Sequence, residues 1–321
     1  MSEGRILTFY SYKGGVGRTM TVANVGRLLA REHTVAPAKT LLIDWDLEAP
    51  SLHRFFKAAD EPVRGLVDYF EAFVDLLANR EDFREGLRNE GRAAILNQAL
   101  PLEPYLVEAD TEGLFLMAAG PIAKIASSEY QGKVASFDWV GLFREHRYAF
   151  EAFREMLAAR FAYTLIDSRT GIGDISGVCT AILPDKLIAM FAPNSQNTMV
   201  IKVVEAALEF RRLSDDLRPL IVYPLASRCD PADLTALQTS LNGFQSEFAD
   251  LFKRAYELRD CDLSRYFEEV ILLYVPWYAY NERIAVEKGE PTYVGSLRRS
   301  YTEFCKWLVS DKYPWADGPQ P

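Results

Sequence analysis

An α/β architecture, a mostly parallel sheet with helices on both faces, is predicted by three features of this sequence. Short and nearly continuous apolar strands recur along the chain, helical stretches separate them, and a glycine cluster closes the first strand. Strands that are apolar throughout belong in a sheet covered on both sides, and parallel neighbours need a crossover of helix length between them.

The elements follow in order. Residues 6–10 form an apolar strand, which runs into Lys13-Gly14-Gly15-Val16-Gly17-Arg18-Thr19. Val22, Val25, Leu28 and Leu29 then recur at helical spacing through Ala30. A second strand at 40–43 leads into Asp44-Trp45-Asp46. Residues 51–160 read as mostly helical, with a stripe of Leu66, Tyr69, Phe70, Phe73 and Leu76; the exception is a short strand at 114–117, closed by Gly120-Pro121. Further strands are expected at 163–166, 186–191, 220–223 and 270–275. There is no internal repeat and no Ser/Gly linker, so residues 1–321 are expected to form one domain. Within it, 51–160 would be an enlarged helical elaboration and 314–321 a flexible tail.

Composition narrows the function. The 36 Lys and Arg against 45 Asp and Glu give a net charge of −9, which argues against sequence-independent nucleic-acid binding. No run approaches the ~20 apolar residues of a membrane span. The start, Met1-Ser2-Glu3-Gly4-Arg5, lacks the apolar centre of a secretion signal, so a cytoplasmic protein is expected. Cys179, Cys229, Cys261 and Cys305 are widely spaced and the three histidines are isolated, which speaks for free thiols and against zinc.

A glycine loop between a strand and a helix is a phosphate-binding device. Its glycines let successive N–H groups turn toward anionic oxygens, and the helix aims its positive end at them. Thr19 is placed to give a hydroxyl to Mg²⁺. The usual spacing, Gly-x-x-x-x-Gly-Lys-Ser/Thr, is not met: Tyr12 stands for the first glycine and Arg18 for the lysine. Arginine is a planar fork where lysine is a point charge, so the exchange alters how phosphate would be held.

The run from Lys13 to Thr19 nevertheless resembles the deviant Walker A loop of the partition and septum-site ATPases, the ParA/MinD superfamily of the SIMIBI class of P-loop NTPases, in a subgroup with a Lys-Gly-Gly-Val-Gly-Arg variant motif. Residues 55–110 match nothing in that family. The resemblance implies that Gly14, Gly15, Val16, Gly17, Arg18, Thr19 and Met20 wrap the phosphates of ATP. It implies that Arg18 acts on phosphate within its own subunit, and that Lys13 reaches the nucleotide of a partner subunit so that ATP joins two copies. The segment from Leu41 to Leu52 is similar to the family's switch I, which gives Asp46 the role of orienting the attacking water and places Asp44 near the outer shell of the metal. Leu165-Ile166-Asp167-Ser168-Arg169-Thr170-Gly171 resembles Walker B and switch II, with Asp167 accepting from the waters of Mg²⁺ and Arg169 a departure from the family pattern. Tyr274-Val275-Pro276-Trp277-Tyr278, with 287–291, resembles the base-contacting loop, and Arg228 ends the preceding strand beside it. Pro276 and Arg228 are therefore expected at the adenine.

The expected function is an ATP-dependent dimerising switch with slow hydrolysis that recruits or controls another protein. A non-hydrolysing adaptor, with Arg18 blocking turnover, is the alternative. Bacterial tyrosine kinases share the loop type but carry a tyrosine cluster at the end of the chain, and here Tyr293, Tyr301 and Tyr313 are scattered. A stripe of Val294, Leu297, Tyr301, Phe304 and Leu308 admits membrane targeting, although such stripes are normally core faces.

Overall fold

The computed structural model describes residues 4–31, 39–56, 63–171, 177–214, 216, 218–293, 295–310 and 312–315. Its centre is a sheet in the order β3-β4-β2-β5-β1-β6-β7-β8. The strands are β1 (Arg5–Ser11), β2 (Thr40–Asp44), β3 (Val107–Glu108), β4 (Leu114–Met117), β5 (Tyr163–Asp167), β6 (Lys186–Phe191), β7 (Ile221–Cys229) and β8 (Ile271–Leu273). All neighbours are parallel except β3 and β4.

Alternation along the central strands sends side chains into two separate cores. Leu7, Leu42 and Leu165 face one layer, while Ile6, Leu41, Ile43 and Ile166 face the other. The first layer holds α1 (Arg18–Arg31), α8 (Met199–Leu213), α9 (Leu234–Ala255) and α12 (Leu297–Val309). The second is built on α2 (Leu66–Asn79), α4 (Arg92–Ala99) and α7 (Arg147–Arg160), with the short α3 (Glu81–Gly86), α5 (Ser128–Ser136) and α6 (Trp139–Glu145) around them. An aromatic group of Trp45, Tyr69, Phe70, Trp139 and Phe153 fills this second core. Two short helices, α10 (Ser264–Glu269) and α11 (Pro276–Asn281), flank β8.

Four sequence expectations change. The region 51–160 is more than a helical elaboration, since it supplies β3 and β4 to one edge of the main sheet. β3 has only two residues, too few for alternation to show. β7 runs on to Cys229 and β8 stops at Leu273. The tail begins later than 314: Trp315 packs on Phe252 and Tyr256 and stacks on Tyr313, while 316–321 lie outside the described residues.

The apolar stripe of α12 is a core face. Leu297, Tyr301, Phe304 and Leu308 are buried, and the helix rests on α1 and β8. The ammonium of Lys186 donates to Leu308 O and Ser310 O, capping the last turn. Val294 lies outside the described residues. Among the described residues no helix is long and apolar enough to cross a membrane. All four cysteines are buried.

Gly65 fixes how α2 meets the sheet. The Leu66 and Val67 N–H groups donate to Ala118 O and Ala119 O, just past β4. A Cβ on Gly65 would come within 2.3 Å of Ala118 O and 2.5 Å of Gly120 N, both backbone atoms that cannot swing aside. Gly65→Ala should therefore destabilise by about 1–3 kcal/mol. Gly243→Ala, at an open helical position with nothing within 4 Å, should stabilise by about 0.5–1 kcal/mol. Urea midpoints moving in the same direction for both would contradict this docking.

Candidate functional site

β1 ends at Ser11 and the chain turns through 12–17 before α1 begins at Arg18. Gly15 and Gly17 have φ of +78° and +83°, a region that side chains with a Cβ resist. A Cβ built on Gly14, Gly15 or Gly17 meets nothing within 4 Å, so the loop faces open space. Its flanks are fixed. The Ser227 hydroxyl donates to Val16 O at 2.7 Å, the Gly171 N–H donates to Tyr12 O at 3.1 Å, and the Tyr10 hydroxyl donates to Gly171 O at 3.1 Å. The first N–H groups of α1 lack partners within the helix and point the positive end of its dipole into the same space.

A cleft of about 500 Å³ opens here, at the carboxyl ends of the parallel strands, where open α/β sheets bind ligands. The residues from Gly14 to Met20 line it, with Asp46 and Glu48 after β2 and Arg169 and Thr170 after β5. Ser227 lines it beside the glycine loop, and Arg228, Tyr274, Val275 and Tyr278 complete the lining. Arg228, with φ +51°, holds its guanidinium 5.1 Å above the Tyr274 ring.

Arg18 does not point along the glycine loop. Its Nε donates to Asp167 Oδ1 at 2.5 Å, Nη2 donates to Asp46 Oδ2 at 2.7 Å, and Nη1 donates to Ser11 Oγ at 3.2 Å. Arg18 lines the cleft, and its fork is spent on two carboxylates. The physical reason lies in the sheet. Asp44 and Asp167 are register partners on adjacent strands, so like charges sit side by side in a buried place. Burial pushes the Asp44 carboxyl well above the usual range and the Asp167 charge pushes it further. Burial also raises Asp46, while Arg18 pulls it back. Burial works against the charge on Arg18, but the two carboxylates more than offset it and hold the guanidinium charged.

Asp44 is fully buried and does not line the cleft. Its Oδ1 accepts from the Asp46 N–H, and its Oδ2 accepts from the N–H groups of Ser51 and Leu52. It folds the loop that carries Asp46. Asp46 itself is half-buried and lines the cleft, as does Thr19. Asp167 Oδ2 is buried with no protein partner. Lys13 is exposed and lies outside the cleft lining, its ammonium 5.4 Å from the Tyr12 ring. Pro276 does not line the cleft; it opens α11, where its missing N–H costs nothing, and Val275 and Tyr278 form the wall instead. The 287–291 loop is also outside the lining: Glu287 pairs with Arg27 and Arg31 of α1, and Glu290 accepts from the Tyr278 hydroxyl.

Sequence reasoning missed Ser11, Ser227 and Glu48. Ser11 and Ser227 break otherwise apolar strand ends, a legible signal; Glu48 carries none.

Removing the guanidinium leaves the acid cluster without its counter-cation. Arg18→Ala should cost about 3–5 kcal/mol of stability near pH 8, as expected when one partner of a buried pair is lost. Burial already raises Asp44 and Asp46, and without Arg18 the pull that lowers Asp46 is gone, so the native state takes up protons more readily than the unfolded chain. The penalty is full above the raised pKa and must shrink as the pH falls through it. Urea unfolding at pH 8 and pH 5.5 checks this, and a deficit that grows on acidification would contradict it.

No protein-family model matches the chain, and no curated protein matches it. Solved structures do. An ATP complex of a McdA variant from Cyanothece aligns with a TM-score of 0.60 at 17% identity, over 96% of this chain and 97% of that one. The septum site-determining protein MinD from Pyrococcus horikoshii, complexed with Mg-ADP, aligns at 0.55 and 14% identity, over 95% and 96%. Cobyrinic acid a,c-diamide synthase from Mycobacterium smegmatis, with an ATP analogue and magnesium, aligns at 0.54 and 18%, over 95% and 94%. Taken with the glycine loop between β1 and α1, these likenesses over almost the whole length give the chain the P-loop NTPase fold of MinD and McdA.

Proposed function

We propose that the protein is an ATP-binding switch that dimerises on ATP, hydrolyses it slowly, and so controls a protein partner. The observation that carries this reading is the open glycine loop at the amino end of α1, facing a cleft at the carboxyl ends of the strands. The N–H groups of 14–20 hold the phosphates, and the base lies toward Arg228, Tyr274 and Val275. Asp46 borders the cleft with its carboxylate fixed by Arg18, which suits it to orient a water. Lys13, directed outside its own cleft, is free to enter that of a second copy.

The residues present also fit magnesium that arrives with a nucleotide. Thr19 and Asp46, which line the cleft, would give a hydroxyl and a carboxylate oxygen, and Asp167, whose unpartnered Oδ2 is buried behind the lining, would act through the ion's waters. Bound there, the ion would neutralise phosphate charge. Among the described residues no group of three or more His, Cys, Asp or Glu is arranged to hold a metal, and Mg²⁺ ordinarily takes one or two carboxylates and completes its shell with phosphate and water. Mg²⁺ alone should therefore leave the melting temperature unchanged. ATP with Mg²⁺ should raise it by mass action, about 2.7 kcal/mol at a hundredfold excess over Kd. A folded protein that shows no shift at millimolar ATP would refute the nucleotide reading.

One observation favours a second reading, an adaptor that binds ATP without turning it over: the Arg18 fork is already committed to Asp46 and Asp167. Single-turnover hydrolysis of bound ATP separates the two. In the switch, Asp46→Asn should keep ATP affinity within a few-fold and slow hydrolysis at least about tenfold, a modest share of what a positioned base contributes. Lys13→Ala should bind ATP normally yet fail to dimerise, read by light scattering during the titration. Dimerisation that survives Lys13→Ala would remove the role in trans. The partner surface is assigned to the ATP dimer or to the layer formed by 51–160. A membrane surface is not favoured, because the stripe of α12 is already buried.

A further inference from the structure

Among the described residues, the cations that line the cleft are Arg18, Arg169 and Arg228. Arg18 is held by buried acids, and Arg228 lies at the far end over Tyr274. Arg169 differs from both. It sits two residues beyond Asp167, on a segment bound to the start of the glycine loop through Gly171, and so belongs to the phosphate end. Its guanidinium pairs with Glu48 Oε1 at 2.9 Å, with side chains 39% and 55% exposed. Glu48 follows Asp46 on the other loop that borders the cleft. An exposed ion pair of this kind is weak and readily exchanged, whereas the buried pairs of Arg18 are not.

We propose that Arg169 is the residue that distinguishes nucleoside triphosphate from diphosphate, leaving Glu48 for the terminal phosphate of a nucleotide in its own subunit. This deepens the nucleotide reading above and rests on it. With Arg18 committed and Lys13 outside the cleft, Arg169 is the cation at the phosphate end whose present partner a triphosphate can replace. A guanidinium matches phosphate oxygens in a bidentate fork, so the exchange trades a single exposed contact for a stronger one. Glu48 is then a competitor that sets the threshold, and its release unties the loop after β2 from the loop after β5. No bond is made or broken in this step.

Titrations with ADP and with the non-hydrolysable triphosphate AMPPNP, each with Mg²⁺, test the assignment. Arg169→Ala should weaken AMPPNP about tenfold to a hundredfold, the range of a lost charge-assisted pair, and leave ADP within twofold. Arg169→Lys should recover part of the loss. Glu48→Gln should tighten AMPPNP several-fold, and that gain should vanish in the Arg169→Ala background. Thermal unfolding without nucleotide should be nearly unchanged in every variant, because both side chains are exposed. An Arg169→Ala protein that loses ADP and AMPPNP equally, or loses neither, overturns the proposal while the nucleotide reading stands. A loss confined to protein concentrations at which dimers form overturns the assignment within one subunit. Wild-type protein that binds neither nucleotide overturns both.

Discussion

One guanidinium holds the carboxyl ends of the central strands together. Asp44 and Asp167 lie side by side on β2 and β5, Asp46 is two residues further on, and the surroundings are largely dry. Unpaired carboxylates there would lose far more in hydration than packing returns. Three backbone N–H groups satisfy Asp44, and Arg18 pairs with Asp46 and with one oxygen of Asp167. A lysine at this position would present a single ammonium, whereas the fork reaches two acids and the Ser11 hydroxyl at fixed angles. The Trp45 N–H adds a bond to Asp167 O. The start of α1 and the loops after β2 and β5 are therefore tied together at one side chain, in addition to the bonds that flank the glycine loop.

That arrangement shapes how the cleft treats an anion. With the fork withdrawn, the surface offered by the loop is backbone N–H and the helix dipole, and three acids stand behind it against one fixed guanidinium. In the proposed function a polyphosphate brought here raises the local negative charge sharply, so its counter-cation matters more than it would in a loop with a free lysine. The exposed Arg169–Glu48 pair lies across the same cleft. Fixed charge is thus placed deep, where exchange is costly, and exchangeable charge at the rim.

Much of this was legible in the sequence, and for identifiable reasons. Strands buried on both faces read as continuous apolar runs, so β1, β2 and β6 were found nearly to the residue. β3 escaped because a two-residue antiparallel edge has no period. The glycine loop was legible because positive φ and open space demand glycine at Gly15 and Gly17. The direction in which Arg18 points was not legible. It depends on the register that sets Asp44 beside Asp167, a relation between segments more than 100 residues apart. The same holds for Asp44, whose role is decided by the N–H groups of Ser51 and Leu52 folding back over it. Pro276 carried a family resemblance but is turned away by starting a helix.

Helix α1 gathers these constraints along its length. At its first residue it carries Arg18. At Thr21 its hydroxyl lies 3.4 Å from that of Tyr301 on α12. At Asn24 its side chain accepts from the Ala285 N–H at 2.7 Å. At Arg27, which is buried, it pairs with Asp110 of the inserted region and with Glu287 of the loop before α12. A helix tied at four points within its first three turns moves as a body or not at all, because close packing leaves no soft residue to absorb a local shift. Any change at the glycine loop that displaces Arg18 therefore bears on contacts with both the 51–160 region and the C-terminal helix. The inserted region meets α1 through the pair of the buried Arg27 with Asp110 at the surface, nine residues along the helix from Arg18.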